Sequence, residues 1–123
     1  MAFHGLVGDV TFRQDLFKMR INVDQAMGIT RDVSHCMGWG DKTIRVIFSG
    51  RKTRRFYGRC EHEKGTNNHF ITLHRIGENV GTLLHELAHV EQSGHKQPFK
   101  NVHAAVVWIF DTLTRRYDCG KRT

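Results

Sequence analysis

The chain has 123 residues, 19 Lys and Arg against 12 Asp and Glu, a formal net charge of +7, and nine histidines. A hydrophobic fraction of 39%, a single proline and the absence of repetitive tracts exclude collagen-like, coiled-coil and disordered classes. One soluble globular domain over residues 1–123 is expected, large enough to bury a core without disulfide staples. Cys36, Cys60 and Cys119 contain no CxxC pair, so they predict scattered reduced thiols, neither a disulfide framework nor a zinc ribbon. Met1 to Leu6 shows no basic segment leading into an apolar one, and the apolar run Ala104 to Phe110 is far short of the ~20 residues of a membrane span. A cytoplasmic monomer with no membrane partner is the expectation.

In chain order, Phe12, Leu16, Met19, Val23 and Met27 recur at steps of four and three, which predicts an amphipathic N-terminal helix stopped by Gly28. After a turn at Trp39-Gly40-Asp41, the β-branched run Thr43 to Phe48 predicts a strand. Phe56 to His62 and His69 to His74 predict two more, joined as a hairpin through the turn chemistry of Lys64 to Asn68. From Glu78, Val80, Leu83, Leu84, Leu87 and Val90 lie at helical spacing, and Ser93-Gly94 suits a left-handed stop. Pro98 opens a last helix striped by Phe99, Val102, Val106, Ile109 or Phe110, Leu113 and Tyr117, with Asp118 to Thr123 frayed. Trp39 and Trp108 are expected in the core. This order predicts one α+β domain: an N-terminal helix, a small three-stranded, mostly antiparallel sheet and two helices.

His85-Glu86-Leu87-Ala88-His89 is an HExxH motif inside the second long helix. Four residues advance a helix by about 400°, so both imidazoles lie one turn apart on one face and can share a zinc ion. Glu86, beside them, is expected as the general base that takes a proton from zinc-bound water and passes it to the leaving amine. With nine His and five Glu in the chain, chance supplies only about 0.03 such matches. Zinc needs a third protein ligand and an open position. His95 is preferred, because the chain past Gly94 can turn back toward the His85/His89 face; His103 and Asp111 are the alternatives. The metzincin pattern fails, since Gln92 stands at its glycine position and no methionine follows the motif. A deformylase-type cysteine ligand finds only Cys60, in a different context.

On Thr82-Leu83-Leu84-His85-Glu86-Leu87-Ala88-His89, followed by His95 with Phe99 four residues later, the chain resembles the SprT-like (Spartan-type) and related WLM zinc metallopeptidases. The resemblance covers about Val10 to Tyr117, and residues 82–99 carry its motifs. It implies a zincin-like fold, His85, His89 and His95 as zinc ligands, Glu86 as catalytic base, a protein or peptide substrate, an association with DNA, and a bacterial or phage origin. Lys96 departs from the family glycine after the third histidine, and the segment between His89 and His95 is shorter than in longer members.

Arg51, Lys52, Arg54, Arg55 and Arg59 cluster around Phe56 and Tyr57, which makes them candidate nucleic-acid-binding residues; Arg115, Arg116, Lys121 and Arg122 form a second basic group. His62, His69, His74, Tyr57 and Tyr117 are candidates for orienting substrate or donating to a developing oxyanion, and Phe56 to His62 for a substrate-binding sheet edge. Together these features predict a zinc-dependent metallopeptidase. The alternatives are a basic nucleic-acid-binding module with a structural or idle zinc site, and a small metal-dependent amidase.

Overall fold

The computed structural model describes residues 13–53 and 55–122, with side chains described as far as Thr114. The expectations for Phe12 and Arg54, and those for the side chains of Arg115, Arg116, Tyr117, Cys119, Lys121 and Arg122, lie outside the described residues. The order of elements is α1 (Gln14–Lys18), α2 (Val23–Met37), β1 (Thr43–Phe48), β2 (Gly58–His62), β3 (Asn68–Leu73), a 3-10 turn (Arg75–Gly77), α3 (Val80–Ala88) and α4 (Gln97–Arg122). The fold is therefore α+β, as the sequence predicts. Among the described residues no helix is long and apolar enough to cross a membrane.

The N-terminal region departs most from expectation. The predicted single helix is broken between α1 and α2, because Asn22 starts a new helix: its side chain accepts from the Gln25 amide while the Gln25 side chain accepts from the Asn22 amide, at 2.8 and 2.9 Å. That reciprocal cap resets the helical phase, so Ala26, Thr30 and Val33 face the core while Met19, Val23 and Met27 are exposed. Gly28 lies inside α2, which ends at Gly38 in the left-handed conformation (φ 75°).

The strand order is β1-β3-β2. The β2–β3 hairpin is antiparallel, with Gly58 opposite Leu73 and His62 opposite His69. β3 returns from that hairpin into the centre of the sheet and lies parallel to β1, from Thr43 opposite Asn68 to Phe48 opposite Leu73. The sheet is thus evenly mixed instead of mostly antiparallel. β2 is left at an edge, consistent with the edge expected over Phe56 to His62, although regular pairing begins only at Gly58.

Ile71 and Leu73 of β3 point into the core, where they meet Leu83, Leu84 and Leu87 of α3 and Ala104, Val106, Val107 and Phe110 of α4. Burying each large aliphatic side chain contributes about 1.5–3 kcal/mol. α3 is buried at every position except His85, so the HExxH segment is carried by the centre of the core. Gly81 allows the Phe17 ring of α1 to lie directly on α3, since a Cβ there would stand 2.7 Å from that ring. Trp39 is buried as expected, whereas Trp108 is 62% exposed: it lies on the solvent side of α4, off the Val106–Phe110 stripe. α4 extends to Arg122.

Candidate metal centre

α3 starts at Asn79, whose buried side chain accepts the Thr82 amide at 2.8 Å. This cap fixes the helical phase that turns His85 and Glu86 toward the sheet edge. The helix ends at His89, earlier than the predicted stop at Gly94, and Gly94 is not left-handed. Tight turns satisfy the last carbonyls instead: the Glu91 and Gln92 amides both donate to Ala88 O at 3.2 Å. The Trp39 indole N–H donates to the Glu91 carboxylate at 2.7 Å, which pins the turn that brings the chain back to His95.

His85, His89 and His95 converge through their Nε2 atoms. His89 Nε2 and His95 Nε2 are 3.0 Å apart, His95 Nε2 and His85 Nε2 3.3 Å, and one ligand atom from each lies within 4.8 Å of the others. Zn–N bonds of about 2.0–2.1 Å at tetrahedral angles require nitrogens about 3.3–3.4 Å apart, so this donor set fits. The His89 Nδ1–Gln92 O hydrogen bond, 2.8 Å, places the ring proton on Nδ1 and leaves the Nε2 lone pair facing the convergence point. The three histidines can hold a metal ion.

Two of the three are pre-set in the ligating, neutral form. Burial, reinforced by the neighbouring His89, His103 and His95, lowers the His85 pKa to about 4, and burial also lowers that of His89. Phe99 of α4, buried, underlies all three rings with centroids 5.0, 4.4 and 5.0 Å from those of His85, His89 and His95. His103 stands behind His85, its ring centroid 5.7 Å away, and takes no part in the convergent set; burial lowers its pKa to about 4. Asp111, the other alternative ligand, is occupied elsewhere, with Arg13 donating to its two oxygens at 2.8 and 3.3 Å.

Glu86 is 6% exposed, and no hydrogen bond or ion pair to its carboxylate is present among the described residues. Burial pushes its pKa up to about 7, near where a general base works best. Two open clefts meet at Glu86, His85 and Gly58. One, of about 410 Å³, is bordered by Arg59, Cys60, His62, His69 and the metal centre; the other, of about 440 Å³, by Phe17, Arg55, Phe56, Tyr57 and Thr82. β2 borders the first, and the segment leading into β2 borders the second.

Of the candidate orienting residues, His62 and His69 line the cleft, stacked with centroids 4.6 Å apart. His69 is buried and its Nδ1 has no partner among the described residues, and Tyr57 borders the second cleft. His74 does not join them: it bonds Ser49 on another surface, Nδ1 to Oγ 2.7 Å. Cys60, a free thiol on the edge strand, has its pKa raised to about 12 by burial and by Glu86 and Glu61, so it stays protonated and inert. The basic residues divide. Arg51, Lys52, Arg55 and Arg59 are all exposed, but only Arg55 and Arg59 border the clefts at Glu86. The sequence reading missed the support beneath the motif: Asn79 as cap, Phe99 as floor and the Gln92 carbonyl as partner of His89. Asn79 three residues before Thr82 was the available signal for the first of these. No protein-family profile, curated protein or solved structure matches the chain.

Proposed function

We propose that this protein is a zinc-dependent peptidase of the SprT-like, zincin type, with His85, His89 and His95 holding the metal and Glu86 as general base. The observation that carries the reading is a buried, unpaired carboxyl next in sequence to an imidazole of a convergent three-histidine site, open to a cleft along a sheet edge. Imidazole nitrogens at near-tetrahedral spacing suit zinc, which when bound lowers the pKa of water toward 7 and polarises a carbonyl.

The residues of the chain divide the remaining work. The free backbone of β2 offers hydrogen bonds to an extended peptide, as an added strand. Phe17, Phe56 and Tyr57 give that groove an apolar end, and Arg59, His62 and His69 a polar one. Glu86, largely buried at the floor of the cleft, takes the proton of the attacking water and returns it to the departing amine, a role served by a carboxyl pKa near 7. His62 and His69, which border that groove, supply polar contacts to the peptide beside the reacting carbonyl.

The test is zinc content with proteolysis. Purified protein should hold one zinc per chain and cleave an unfolded protein such as casein, a chelator should abolish cleavage, and added zinc should restore it. Stoichiometric zinc with no cleavage of any protein, while small amides are hydrolysed, would replace this reading with the amidase.

A further inference from the structure

The side of the sheet turned away from α3 carries a further cavity, about 580 Å³, lined by Ser49, Arg51, Thr53, Arg59, Thr72 and His74 with Phe56 at its border. Among the described residues no carboxylate lines it. Its two guanidinium groups come from different elements, Arg51 from the segment after β1 and Arg59 from β2. Arg59 Nε also lies 3.2 Å from the Glu61 carboxylate, which is outside the lining. Three hydroxyl side chains line the same cavity. Thr53 Oγ1 accepts the Arg55 amide at 3.2 Å, so its own proton is available to donate outward. Thr72 Oγ1 makes no hydrogen bond with the described residues, and Ser49 Oγ is oriented by the Arg51 amide at 3.2 Å and His74 Nδ1 at 2.7 Å.

Two guanidiniums and hydroxyl groups in a lining without a carboxylate are the chemistry that binds a tetrahedral oxyanion. The Phe56 ring, 61% exposed at the rim, offers a face on which a base can stack. We propose that this cavity is a phosphate-binding site, separate from the metal centre and lying across β2 from Glu86. Its ligand is a phosphate group, borne either by a free nucleotide or by a single-stranded nucleic acid. The inference does not depend on the peptidase reading, because its readouts are binding measurements.

The test uses the full chain at low salt with three probes: inorganic phosphate, adenosine monophosphate and a fluorescein-labelled 12-nucleotide single strand. Arg51→Ala combined with Arg59→Ala should weaken binding at least tenfold and make the salt dependence of oligonucleotide binding shallower by about one. Arg31→Ala with Lys42→Ala, equal in charge change but away from the cavity, should weaken it less than twofold. Phe56→Ala should cost at least fivefold with the nucleotide and oligonucleotide while leaving phosphate binding unchanged. Phosphate should shift the amide resonances of Ser49, Thr53 and Thr72, and should displace the oligonucleotide better than chloride at equal ionic strength. Tighter binding of the oligonucleotide than of the monophosphate identifies a polymer as the source, and equal binding a free nucleotide. Equal losses from both double variants, or no phosphate-induced shift at these amides, would overturn the proposal.

Discussion

Two sets of histidines face one cleft, and they are built differently. His85, His89 and His95 come from one helix and the turn after it, and their Nε2 atoms point at a common centre 3.0–3.3 Å from one another along two sides. His62 and His69 sit opposite each other on β2 and β3 with rings stacked face to face, 4.6 Å apart at 18°; His62 Nε2 donates to Thr66 O and His69 Nδ1 is buried, so their nitrogens share no common centre. Imidazoles at similar centroid separations therefore give a metal site in one case and a cleft wall in the other. What decides is the direction of the lone pairs, which a helix turn aligns and a strand register does not.

The largest expected effect follows from removing a converging ligand. His89→Ala should weaken zinc binding by on the order of 1000-fold, about 4 kcal/mol, in competition with a chromogenic chelator, whereas His62→Ala should change it less than twofold. A comparable loss from His62→Ala would break the distinction between the two sets. Next is the aromatic floor: Phe99→Ala should cost about 3 kcal/mol in chemical denaturation and also loosen zinc binding, while leaving the His62–His69 stack intact by NMR.

Third is the buried carboxyl. The Glu86 pKa, raised from its ordinary 4.5 to about 7 by burial, means that the folded state holds this proton more tightly than the unfolded chain does. Metal-free protein is therefore favoured by this group below pH 4.5, and that advantage is lost as pH rises through 7, by about 2–3 kcal/mol. Glu86→Gln should remove this slope, so metal-free wild type and variant should differ more at pH 8 than at pH 5 in urea denaturation. The smallest effect is at the cap, where Asn79→Ala should cost about 1 kcal/mol in thermal or urea unfolding.

How much of this was readable varies by mechanism. The HExxH face was legible because helical periodicity is local, and His95 because a short turn after α3 limits where the chain can go. The break between α1 and α2 was hidden by Met19, Val23 and Met27, whose apolar stripe mimics a continuous helix, although Asn22 and Gln25 carry the capping signature that overrides it. β1 was legible as a strand but not as a partner of β3, since parallel pairing depends on how the hairpin folds back into the sheet. Trp108 misled because an aromatic beside an apolar stripe reads as core, yet one step around the helix places it in solvent. The division of Arg51 from Arg55, with Arg59 bordering cavities on both sides of β2, required knowing which surface each one reaches.

The central claim is that Glu86 does chemistry beside a site the histidines build without it. The most direct measurement is zinc stoichiometry and casein cleavage by Glu86→Gln side by side with wild type. The account predicts one zinc per chain in both proteins and a loss of cleavage of about 100-fold or more in the variant. Full activity in Glu86→Gln, or loss of its zinc, would contradict it.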